Sequence, residues 1–142
     1  KTVKTLNEVK GDLPVLMKPH VFTDLGVVDE VMFNLDGFYI TYLHPSVLAT
    51  RAKVFICNSY STVMADAKSM GIGTVEYSDY QIDLLKSSKG KSLGYEYIDE
   101  FINNDQDDFK KAIKLMLTAK ISSSIVSSNT TDANKLLVEL AE

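Results

Sequence analysis

Short apolar runs alternate with helical stripes along this chain, and that alternation restricts the fold more than any other feature. Residues 13–17, Leu-Pro-Val-Leu-Met, read as a strand ended by Lys18-Pro19, with Pro14 at its start because proline cannot donate to a ladder. Before it, Val3, Leu6 and Val9 sit at helical spacing and Gly11 closes the helix. Leu25, Val28, Met32 and Leu35 form a second stripe over residues 24–35, capped by Asp24. Residues 37–42 are rich in aromatic and β-branched side chains and read as a strand, and Pro45 then opens a short helix over Val47, Leu48 and Arg51. Residues 53–57, Lys-Val-Phe-Ile-Cys, read as a strand buried on both faces, the mark of a parallel sheet.

The same rhythm continues to the end. Residues 58–62 open a helix with Val63, Met64, Ala67 and Met70 along one side, closed by Gly71, and 73–77 form a fourth strand. Residues 87–94, mostly Ser, Lys and Gly, read as a mobile loop, and 95–98 as a short edge strand. Residues 105–119 form a helix with Phe109, Ala112, Ile113 and Met116 inward. A polar connector over 122–131 leads to a last helix, capped by Thr130 or Thr131, with Ala133, Leu136, Leu137 and Leu140 inward. No internal repeat is visible. Strands alternating with helices predict an α/β chain: a three-layer, Rossmann-like single domain over 1–142, with a mainly parallel sheet flanked by helices.

Composition narrows the function classes. The 142 residues carry a net charge of −4 and a single arginine, Arg51, which argues against non-specific nucleic-acid binding. The loose cluster Lys86, Lys89 and Lys91 lies in the Ser/Gly-rich loop and reads as solvated. No apolar run approaches the ~18 residues that span a bilayer, and no signal-peptide pattern is present. The single Cys57 forbids an internal disulfide and fits a reducing compartment. No CxxC, HExxH or dense ligand cluster occurs, so neither a metal nor another cofactor is expected. The first residue is Lys1 rather than Met, which suggests an excised piece or a processed chain.

In parallel sheets ligands bind at the carboxyl ends of the strands, so the residues that follow each apolar run are the candidates. The strongest signal is the passage from residue 54 to Asp66, where a strand runs through a small polar loop into a helix. Ser59, Ser61 and Thr62 let a phosphate approach the free N–H groups of the first turn and add hydroxyl donors. Asp66, one turn further on, could accept from ribose hydroxyls. The simpler reading is that Asn58 and Ser59 only cap the helix. Lys18 and His20 follow the first strand and offer a fixed charge and a proton donor, unless they merely occupy a surface turn. His44 follows the second strand, where a structural role is the simpler reading. Tyr77 and Tyr80, after the fourth strand, could stack on a base or wall the cleft. Cys57 reads as a core thiol, because a phosphatase-type loop needs Arg where Val63 stands. GxGxxG and GxxxxGKS/T are both absent.

Strand, Lys18-Pro19-His20, strand, short helix, buried strand, Asn58-Ser-x-Ser61-Thr62, a helix bearing an acid, Gly71, strand: this order resembles the C-terminal, donor-binding half of GT-B glycosyltransferases. It is nearest to the surface-polysaccharide and CDP-glycerol glycerophosphotransferase-like group, and more distantly similar to non-hydrolysing UDP-GlcNAc 2-epimerases. Val21 departs from that group's K-P-H-P segment, Asp66 stands where Glu is usual, and Gly73 stands where Pro is common. The resemblance spans roughly the whole chain. It implies that Ser61 and Thr62, with Ser59 in the same loop, hold the diphosphate of a nucleotide-activated sugar or alditol. Lys18 and His20 would neutralise phosphate or assist the leaving group, with His20 in the catalytic role, and Asp66 would touch the ribose. No metal is required in this scheme. It also implies a cytoplasmic protein of polysaccharide biosynthesis, peripheral to the inner face of the membrane, whose acceptor site lies on an N-terminal lobe outside these residues. Two alternatives stay open: an epimerase-like domain, and a stand-alone phosphate-binding or interaction module with no activity.

Overall fold

A computed structural model describes residues 1–118 and shows an α/β arrangement in which every paired strand is parallel. Helix α1 (Thr2–Val9) ends at Lys10, and Gly11 turns the chain with φ +57° into strand β1 (Val15–Met17). Asp24 caps α2 (Leu25–Met32), its Oδ1 accepting from the Gly26 N–H at 2.9 Å. Strand β2 (Phe38–Ile40) pairs with β1 in the register Val15–Phe38, Leu16–Tyr39, Met17–Ile40. His44 caps α3 (Pro45–Ala49), with Pro45 at its first position, where a missing N–H costs nothing.

Strand β3 (Val54–Cys57) leads to α4 (Val63–Ser69), which stops at Gly71 with φ +74°. Then come β4 (Gly73–Ser78), α5 (Ile82–Ser87), a single 3-10 turn (Tyr95–Tyr97), β5 (Glu100–Asn103) and α6 (Gln106–Thr118). The strands form two sheets, β1–β2 and β3–β4–β5. No helix among the described residues is long and apolar enough to cross a membrane.

The layers follow from side-chain alternation along β4. Val75 and Tyr77 face α6, where Phe109, Ala112 and Ile113 close a buried cluster with Ile102 of β5. Leu6 and Val9 of α1 and Val54 and Ile56 of β3 pack around it. The Phe109 ring stacks on Tyr77 with centroids 4.5 Å apart. On the opposite face Ala49, Ala67 and Ile72 bury Phe55 and Met70 beneath α3 and α4.

The intervening residues of β4, Thr74, Glu76 and Ser78, are buried and polar. Each is hydrogen-bonded, as burial demands. The Thr74 hydroxyl donates to the Tyr97 carbonyl at 2.7 Å and lies 3.1 Å from the Asp99 N–H that donates to it. The Thr74 N–H donates to Asp99 Oδ2 at 2.9 Å, and Lys68 pairs with the other oxygen. Burial pushes the Asp99 carboxyl up, but Lys68 and Thr74 together outweigh it and hold the carboxyl below the usual aspartate value.

Three expectations are corrected. The most buried strand is β4, at the centre of its sheet; every residue of β3 is only half-buried, because β3 lies at the sheet's edge. Residues 95–98 form no strand. Their backbone is turned so that Tyr97 and Asp99 can satisfy Thr74, and the edge strand starts afterwards, at Glu100. Ser87 closes helix α5 rather than opening the loop, and within the loop after it Ser92 is buried. The expected end of the 105–119 helix, the 122–131 connector and the last helix lie outside the described residues.

Candidate functional site

One hydrogen bond joins the helices that follow β2 and β3. Ser46, in the first turn of α3, donates from Oγ to Asp66 Oδ2, in the first turn of α4, at 2.5 Å. These helices follow β2 and β3, so the bond draws the segment after one strand to the segment after the other. β1 ends beside β2, with the Thr41 N–H donating to the Met17 carbonyl at 2.9 Å. Lys18 and His20 follow β1, His44 follows β2 and the 58–62 loop follows β3, each beyond the carboxyl end of its strand.

Lys18 and His20 are exposed there. His20 Nδ1 accepts from the Phe22 N–H at 3.3 Å, which leaves Nε2 as the protonated, donating nitrogen of the neutral ring. His44 uses the same atom as the α3 cap, accepting from Ser46 N–H at 3.3 Å, so its role is structural in this geometry. In the loop, Ser59 is exposed and holds φ +142°, a conformation that L-residues seldom adopt. Asn58 Oδ1 accepts from the Thr2 hydroxyl at 2.7 Å, and Lys1 Nζ reaches Asn104 Oδ1 at 2.5 Å, so the start of α1 ties the ends of β3 and β5 together. Thr62 begins α4 without a side-chain cap, while the Ser61 and Thr62 carbonyls accept from Met64 and Ala65 at 3.1 Å. Asp66 is half-buried and spends one oxygen on Ser46. An open cleft of about 400 Å³ adjoins the loop, lined by Thr2, Lys4, Asn7, Val31, Leu35 and Asn58.

Tyr77 and Tyr80 are not exposed. Tyr77 is in the core against Phe109, and Tyr80 is buried against Phe101. Burial raises both phenols, and for Tyr80 the nearby Glu76 adds to it.

Sequence reasoning missed the polar cluster behind the loop. Glu76 is fully buried on β4 and accepts from the Ser78 hydroxyl at 2.6 Å and from the Ser92 hydroxyl. Cys57 is its register partner on β3. A signal was present: an acid inside the otherwise apolar run of residues 73–77, where a charge survives only if something receives it.

Burial, and then the Glu76 charge, push the Cys57 thiol up to about 11 from 9.0. Thiolate is the reactive form, so Cys57 is no nucleophile at neutral pH. Alkylation by iodoacetamide at pH 7.5 is expected to run roughly a hundredfold slower in the folded protein than in urea. Equal rates would mean that Cys57 is not shielded as described. Among the described residues no group of three or more His, Cys, Asp or Glu could hold a metal ion.

No protein-family model, curated protein or solved structure matches the chain.

Proposed function

We propose that this chain binds the diphosphate of a nucleotide-activated sugar or alditol, as the donor half of a GT-B-like glycosyltransferase of surface-polysaccharide synthesis. The observation that carries the reading is the Ser46–Asp66 hydrogen bond, which joins the first turns of the helices that follow β2 and β3 and so draws together two segments that leave the carboxyl ends of parallel strands. Parallel sheets bind their ligands at those ends. The order of these motifs is the resemblance described above.

In this scheme Ser59, Ser61 and Thr62 donate hydroxyl protons to the diphosphate. Lys18 supplies a fixed positive charge, and His20 Nε2 donates to the departing phosphate oxygen. Donors held in place before reaction stabilise the charge that develops on the leaving group. Asp66 keeps one oxygen for a ribose hydroxyl, since the other holds Ser46. The acceptor and its general base belong to a second lobe, so the isolated domain binds its donor without turning it over.

Titration calorimetry with UDP and CDP tests the assignment. Binding heats are expected at millimolar nucleotide. Ser61→Ala and His20→Ala should each weaken binding about tenfold, the effect of one hydrogen bond to a charged group. Folded protein that gives no heat with either nucleotide, or variants that bind like wild type, would sink the proposal.

A further inference from the structure

We infer that Glu76 is a positioning residue for the 58–62 loop, acting through a latch made by residues 92–94. In its bearing on ligand binding, the inference rests on the nucleotide-binding reading above. The latch itself stands on contacts alone.

The chain of contacts begins at the buried carboxylate. Glu76 holds the Ser92 hydroxyl, and the Ser92 Oγ in turn accepts from the Gly94 N–H at 2.9 Å. The next amide, Leu93 N–H, donates to the Tyr80 hydroxyl at 3.4 Å. Two backbone amides of a surface connection are thus drawn onto a polar cluster in the middle of the sheet. Ser92 is only 3% exposed, so water cannot easily replace these partners.

Gly94 then transmits the position to the loop. Its φ of −106° suits any residue, so backbone conformation does not explain the glycine. Contact does: a Cβ at this position would lie 2.0 Å from Cε2 and 2.3 Å from Cδ2 of Tyr60. Tyr60 sits between Ser59 and Ser61. The ring of Tyr60 therefore lies directly against the Gly94 backbone, and the two segments move as one. If the 92–94 segment lifts, Tyr60 loses its seat, and the serines on either side lose theirs.

This arrangement also gives the buried acid a task. No Lys or Arg pairs with Glu76 among the described residues. A lone carboxylate in a sheet is an expensive core residue, yet it is well suited to collecting hydroxyl donors from separate segments.

Amide hydrogen exchange on Ser92→Ala tests the latch. Exchange at residues 93 and 94 is expected to rise about tenfold, and exchange at Met64 and Ala65, whose amides donate to the Ser61 and Thr62 carbonyls, should rise with it, while α6 keeps its wild-type protection. Faster exchange at 93 and 94 with no change at Met64 and Ala65 would overturn the coupling. If Ser92→Ala loses α6 protection as well, the pair Gly94→Ala and Tyr60→Ala decides instead. Gly94→Ala should loosen the loop, and adding Tyr60→Ala should remove most of the penalty; simple additivity of the two would overturn the inference. Calorimetry separates the two readings. UDP or CDP that binds wild type and loses about tenfold affinity in Ser92→Ala, at unchanged α6 protection, supports the positioning role. Unchanged affinity overturns that role. No binding by wild type refutes the donor reading and leaves the exchange coupling to be judged by itself.

Discussion

Phe109→Ala is expected to lower the unfolding free energy by about 3–5 kcal/mol, the usual cost of emptying a large aromatic site in a core. Phe109 is fully buried, stacks on Tyr77 and sits where α6 meets β4 and β5. Its neighbours cannot collapse inward, because Val75, Tyr77 and Ile102 are fixed by the strand ladders on which they stand. Domains of this size are stable by only about 5–15 kcal/mol, so the variant would lose a large share of its margin. Its melting temperature should fall on the order of 10 °C. Phe109→Leu, which keeps most of the volume, should cost much less. Urea unfolding of the two variants checks this, and a loss under about 1 kcal/mol for alanine would mean that α6 does not dock as described.

Thr74→Val removes no volume and is still expected to cost about 1–2 kcal/mol. The hydroxyl of Thr74 serves the Tyr97 carbonyl and the Asp99 N–H at once. A methyl group in its place leaves the Tyr97 carbonyl without that donor in a part-buried place, at a cost of about 1–3 kcal/mol, while the Asp99 N–H keeps its second acceptor, the Thr74 carbonyl at 3.1 Å. Thr74→Ser keeps the oxygen and should recover most of the loss. Equilibrium denaturation of the valine and serine variants separates the hydrogen bonds from packing. If valine is neutral, the 95–99 segment is held by the Asp99 side chain and the Asp99–Thr74 backbone bond, without the hydroxyl.

The elements that were legible in the sequence share one property: their signals are local. The caps at Asp24 and at His44-Pro45, the stops at Gly11 and Gly71 and the stripe of α6 each lie within a few residues of what they control. The errors fall where distant residues decide. Residues 95–98 carry two tyrosines and an isoleucine and look extended, but Thr74, more than twenty positions earlier, claims the Tyr97 carbonyl and bends them. The serines and lysines of 87–94 have a loop composition, yet Ser92 is fixed by an acid on β4.

The site divides in the same way. Lys18, His20, Ser59, Ser61 and Thr62 follow apolar runs, and that order alone is what singles them out as candidates. That Asp66 would be shared with Ser46 could not be read from order, because the bond joins two helices that only the fold brings together.

The pairing of α1 with α6 bears on how the chain is made. Glu8 meets Lys110, and Leu6 and Val9 rest on the same cluster as Phe109. A ribosome adding about 5–20 residues per second delivers α6 several seconds after α1. Until then the apolar face of β3 and β4 has no lid, and the nascent protein exposes it to whatever else is in solution. Shielding during synthesis, rather than stability once finished, is then the step at which this architecture is most vulnerable.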